Sequence, residues 1–162
     1  MENQFIQDIA SAMTGELTHM PPKRAVDGLT PEVARKRPPN LGRSCWEVLY
    51  HVVFWQDVFI QNLDGKTMDW FPPHDKNWPT EDLLSDDKEF EALVRRFNEN
   101  IALAIEKLQT IDFSERIKIG EPLPPDATKF RVALVFFQHM AYHLAQIVTT
   151  RKALGNWKGR HG

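Results

Sequence analysis

The sequence contains one cysteine, Cys45, in 162 residues. A lone thiol forms no intrachain disulfide, so nothing points to an oxidising compartment. Long apolar runs are also missing. Runs such as VVFW at 52–55 and ALVFF at 133–137 fall well short of the roughly 20 residues a bilayer-spanning helix needs. No basic block occurs and the formal net charge is −2, which argues against a duplex nucleic-acid binder. The nearest approach is a scatter of Arg151, Lys152, Lys158 and Arg160, read as a solvated helix end that suits the helix dipole. The opening MENQFIQDIA has no basic segment followed by an apolar one, so it does not resemble a secretory signal. The expectation is a cytoplasmic protein with neither a nucleic-acid nor a membrane partner.

What is present suits one globular domain over 1–162. Hydrophobic residues make up 42% and charged residues 26%. Eleven prolines fall in clusters and leave four long proline-free stretches with helical spacing. Helices are expected over about 2–18, 44–64, 86–109 and 127–154. Phe5, Ile6, Ile9, Met13 and Leu17 share a stripe on the first. The second is apolar almost all round. Phe90, Leu93, Val94, Phe97, Ile101, Ile105 and Leu108 share a face of the third, and Val132, Val135, Phe136, Met140, Ile147 and Leu154 a face of the fourth. Ser44 and Glu47 have the spacing of a capping box. Gly65 and Gly155 stand where left-handed caps end helices. Ser85, followed by Asp86 and Asp87, is placed to start the third helix, with negative charge at its positive dipole end, and Asp126 is placed to cap the fourth. Thr30, Pro31 and Glu32 open a short helix in the first linker. No strand alternation stands out, so the fold class is all-α, a four-helix bundle. Its linkers are long, and linker length leaves the helix order open.

Six histidines occur, at positions 19, 51, 74, 139, 143 and 161. His139 and His143 are four apart, which stacks both side chains on one helix face. That face also carries Val132 and Phe136, so both imidazoles should point into the bundle. His51 sits on the stripe of the most apolar helix, where a polar ring is costly without partners. One and two imidazoles from facing helices would make a three-nitrogen metal site with open positions. A buried histidine hydrogen-bonded within a core has the same local signature, and the residues alone leave both readings open.

Other motifs are weaker. Glu16, Leu17, Thr18 and His19 form one E-x-x-H element, but a di-iron bundle needs a second copy, and residues 127–154 contain no acid. No H-E-x-x-H or nucleophile elbow occurs. Cys45, in a first helical turn, is read as a small apolar residue rather than a reactive thiol. Glu47 is read mainly as a cap, with a role beside His51 as the alternative. Gln146, three residues after His143, could serve the site or an opposing helix. Trp46, Trp55, Tyr50 and Tyr142 are read mainly as core, with some able to line a pocket.

The segments SCWEVLYHVVFWQDVFI and HMAYHLAQIVTTRKALGNW, with the linker GLTPEVARKRPPN, resemble the DinB-like (damage-inducible) family of metalloenzymes. The resemblance covers nearly the whole chain and is weakest at 65–125. It implies an up-down-down-up bundle and a metal triad of His51, His139 and His143. It also implies kinship with bacillithiol S-transferases and, further off, mycothiol-dependent maleylpyruvate isomerase, and a homodimer. Three imidazoles suit zinc or nickel best and are compatible with iron, cobalt and manganese. The function expected is metal-dependent transfer of a low-molecular-weight thiol to an electrophile, in detoxification or stress response. The alternatives are metal-dependent hydrolysis and a non-catalytic structural or sensory bundle.

Overall fold

The computed structural model describes residues 2–15, 20–67, 74–117 and 127–158. Six α-helices occur among them: α1 (Glu2–Thr14), α2 (Pro31–Ala34), α3 (Cys45–Leu63), α4 (His74–Asn77), α5 (Asp87–Leu108) and α6 (Lys129–Ala153). Two 3₁₀ turns, Pro22–Ala25 and Leu83–Ser85, lie in the linkers. The four long helices are those expected, so the fold is an all-α bundle.

Cap chemistry explains most boundaries. The Ser44 hydroxyl accepts from the Glu47 N–H at 3.2 Å, and the Glu47 carboxylate accepts from the Ser44 N–H at 2.8 Å. Gly65, with φ +79°, closes α3 in the left-handed region, and Gly155, with φ +68°, closes α6. Thr30 caps α2 through the Val33 N–H. Asp86, rather than Ser85, caps α5 through the Lys88 N–H, because Ser85 closes the 3₁₀ turn and its hydroxyl donates to the Asp82 carbonyl. Two further ends differ from expectation. α1 stops at Thr14 rather than near 18, because Gly15 turns left-handed at φ +77°. α6 starts at Lys129 with Thr128 as its cap, accepting from the Arg131 N–H at 3.2 Å. Its start is delayed because Ala127 is already engaged, its carbonyl accepting from the Ile117 N–H at 2.9 Å beside an isolated bridge between Arg116 and Thr128. Asp126, like Leu17 and the side chains of Phe5 and Met13, lies outside the described residues.

α3 is the central helix and packs on both α5 and α6. Trp46 meets Phe90, the Gln56 amide donates to the Phe97 carbonyl, Asp57 binds Arg96 and Asn100, and Asp64 pairs with Lys107. Positions rise together on both chains, so α3 and α5 run in the same direction. Against α6 the order reverses. Cys45 donates to the Ile147 carbonyl at 3.7 Å, and Phe59 stacks on Phe136 with centroids 4.1 Å apart. α6 therefore runs opposite to both α3 and α5.

By length and hydropathy α6 could cross a membrane, which no run of consecutive apolar residues discloses. In the bundle its apolar residues Val132, Phe136, Met140, Leu144 and Ile147 are buried in the core instead. Val135, expected in the core, is 38% exposed. Of the basic end expected to be solvated, Lys152 and Lys158 are exposed but Arg151 is not. Arg151 is 5% exposed and donates to the carbonyls of Ala25, Asp27 and Asn156, with Trp157 packed on its guanidinium. Loop carbonyls that would otherwise be buried without partners draw it inward. Arg160 lies outside the described residues. Burial pushes the Cys45 thiol up to about 12, so it is an inert core residue as expected.

Glu47 anchors the start of α3. Burial would raise its pKa, but Arg37, the Ser44 N–H and Arg43 outweigh that and hold it at about 2. Glu47→Gln should therefore lower unfolding free energy at neutral pH by about 2 kcal/mol, the scale of lost charged hydrogen bonds. A carboxylate with a lowered folded pKa stabilises above its unfolded value and loses that contribution as pH falls through the folded one. The gap between wild type and variant in denaturant unfolding should thus close as pH drops from 4.5 towards about 2.

Candidate metal centre

The antiparallel register of α3 and α6 places His51 opposite His139 and His143. One ring nitrogen from each lies within 4.8 Å of the others. The Nε2 atoms of His51 and His139 are 3.2 Å apart. Metal–imidazole bonds of about 2.0–2.1 Å at tetrahedral angles put ligand nitrogens roughly 3.4 Å apart, so this spacing fits a shared ion. The ring centroids of His139 and His143 are 4.3 Å apart, and those of His51 and His143 4.6 Å.

The outer nitrogens show which lone pairs face inward. His51 Nδ1 lies 3.1 Å from the Asn77 carbonyl oxygen. His143 Nδ1 lies 2.8 Å from Gln146 Oε1. Both partners are acceptors there, so each Nδ1 carries the proton and donates, and Nε2 keeps its lone pair for a metal. This is the outer support that ligating imidazoles require. Gln146 therefore turns towards the histidine cluster.

Electrostatics agree. Burial, with the neighbouring His143 and His51 rings, pushes the His139 pKa down to about 3. Burial lowers that of His143 too, partly offset by the Gln146 hydrogen bond. Neutral imidazole is the ligating form, so the folded chain presents ligands ready for a cation. Among the described residues no carboxylate joins the group. Glu47 is committed to Ser44, Arg37 and Arg43, as its reading as a cap required. His19, His161 and Glu16 lie outside the described residues, as does the side chain of His74. The donor set, its spacing and its protonation fit one divalent ion of the nitrogen-preferring kind.

Two clefts reach the histidines. One, of about 280 Å³, is lined by His51, Trp55, Val58, Phe59, Val135, Phe136 and His139 and is almost wholly apolar. The other, of about 650 Å³, borders His143 and includes Arg43, Trp78, Tyr142, Gln146 and Thr149. Of the aromatics considered from sequence, Trp46 is core, while Trp55 and Tyr142 line these clefts. Tyr50 lines a separate pocket between α3 and α5. Asn77 and Trp78 were not singled out. They sit in a proline-flanked linker, and no periodicity marks them.

The fold and site together define a helical bundle with a three-histidine centre built across two antiparallel helices. The model of the DinB superfamily matches residues 23–147. The chain belongs to the DinB superfamily. No curated protein and no solved structure matches it significantly.

Purified protein should carry close to one divalent ion per chain, and His139→Ala should lose most of it by elemental analysis, since two imidazoles hold a metal weakly. Full retention would contradict the site. A second expectation concerns the metal-free chain. The folded histidine pKa is lowered while the unfolded one stays near 6.5. The unfolded state then binds more protons below that pH, so stability is lost as pH falls from 6.5, by about 1.4 kcal/mol per unit for each such histidine. His139→Phe should flatten this limb by about one proton in denaturant titrations between pH 4 and 6.5.

Proposed function

We propose that this protein transfers a low-molecular-weight thiol to an electrophile in a metal-dependent reaction serving detoxification or stress response. The observation that carries this reading is the pair of clefts meeting at one histidine cluster. Two separate approaches suit a reaction with two substrates, whereas hydrolysis needs one substrate and water.

A bound divalent cation supplies Lewis acidity, lowering the pKa of a thiol that reaches it. The chain does the rest. His51 and His143 keep an Nε2 lone pair turned inward, and burial favours the neutral ring at His139 and His143. Val58, Phe59, Val135, Phe136 and Trp55 desolvate the apolar body of the electrophile. Tyr142, Gln146 and Thr149 offer polar groups to the body of the thiol in the other cleft. The sulfur forms the new bond to carbon, the leaving group departs with its electron pair, and the thiol proton passes to water. The clefts open directly onto the histidines, which suits turnover better than a closed structural or sensory site.

The metal-loaded protein should consume thiol with a chromogenic electrophile and lose that activity on chelation. Trp55→Ala should raise the KM for the electrophile several-fold and leave that for the thiol nearly unchanged. Tyr142→Ala should do the reverse. Ester or phosphate turnover without thiol would replace this reading with a hydrolase.

A further inference from the structure

His51 is gripped by a segment far away in sequence. Asn77, 26 residues downstream, accepts a hydrogen bond from Nδ1 through its backbone carbonyl at 3.1 Å. The next residue, Trp78, stacks on the same imidazole with centroids 4.2 Å apart and planes only 12° apart. These contacts fix different things. Turning the imidazole over about its Cβ–Cγ bond would exchange Nδ1 with a carbon, and the Asn77 carbonyl selects against that. A parallel indole restricts the tilt of the ring, which the carbonyl alone leaves free. Edge and face together aim Nε2 at His139.

Trp78 is itself held. The Arg43 guanidinium lies 4.2 Å from its ring. Arg43 donates to Glu47 at 2.8 Å, and Glu47 is the buried carboxylate of the α3 capping box. A line of contacts thus runs from the helix cap through Arg43 and Trp78 to His51. Gln146 plays the corresponding part for His143.

We infer that Trp78 is a positioning residue of the metal centre, its indole setting the plane of His51 for coordination. The inference rests on the three-histidine metal reading. The side chain itself donates no ligand atom, so its effect is on the affinity and geometry of the ion rather than on ligand number. Loss of an outer partner of a ligating histidine typically weakens metal binding ten- to a hundredfold.

The test uses cobalt(II) as the probe, on wild type, Trp78→Leu and Trp78→Phe. Trp78→Leu keeps apolar volume and removes the ring face. It should weaken cobalt binding by about ten- to a hundredfold and alter the ligand-field absorption of the loaded protein. Trp78→Phe restores a stacking face and should return affinity to within about threefold of wild type. Trp157→Ala removes an indole that packs on Arg24 and Arg151, and should change neither readout. If Trp78→Leu loses its helical circular dichroism, Trp78→Met takes its place. Wild-type affinity with a wild-type cobalt spectrum in the ringless variant overturns the inference alone. A wild-type chain that binds no cobalt overturns the metal reading and this inference together.

Discussion

The packing of α3 against α6 sets everything else about this molecule. α3 is apolar on nearly every side, and its residues from Cys45 to Leu63 are mostly buried, so it has little freedom to turn. Two contacts pin it along its length: Cys45 against Ile147 at one end and Phe59 against Phe136 towards the other. With both ends fixed on an antiparallel partner, the intervening turn must bring His51 across from His139 and His143. Slipping α6 by one turn would unstack the phenylalanines and open the seam. Close-packed cores resist such a change, because lost contacts and residual cavities both cost stability. The precision of the histidine cluster is thus inherited from the apolar packing on either side of it.

Burial disfavours charge on both kinds of ionisable group in this seam, but the outcomes are opposite. Glu47 is 3% exposed yet held as an anion, because two arginines and a backbone N–H surround it. For His139 and His143 desolvation is the largest influence, and it lowers both pKa values and favours the neutral ring. That neutrality is what a cation needs from its ligands. The hydrogen bonds of His51 and His143 go to uncharged acceptors, a carbonyl and an amide oxygen, which orient the rings without protonating them. A carboxylate in either place would instead raise the pKa of the imidazole it faced. His139 and His143 are therefore held towards the neutral form by burial, while the carboxylate of the helix cap nearby is held ionised by its charged neighbours.

Local rules were legible in the sequence wherever the physics is local. The capping box at Ser44 and Glu47, the cap at Thr30, and the left-handed Gly65 and Gly155 depend only on residues a turn apart. The four long helices follow from spacing, and the pairing of His139 with His143 follows from the helical repeat. These parts needed no knowledge of what packs where. That His51 joins them was open on the residues alone, because a core histidine and a ligand look the same until the facing helix is known. Gly15 ended α1 earlier than its apolar stripe suggested. The stripe records which face is buried, not where the backbone leaves the helix.

Tertiary structure decided what depends on distant partners. Arg151 looked like a solvated helix end, yet it is buried because carbonyls more than 120 residues earlier meet its guanidinium. Thr128 replaces Asp126 at the start of α6 because Ala127 and Ile117 pair across a linker. Gln146 turned to His143 rather than to an opposing helix. Asn77 and Trp78 came to His51 from a linker with no pattern of its own. The sequence by itself determined the helices, their caps and the apolar faces, since those follow from backbone hydrogen bonding and side-chain period. Only the folded arrangement decided the register between α3 and α6 and the clasp on His51, since both arise from shape complementarity between segments that share no local signal.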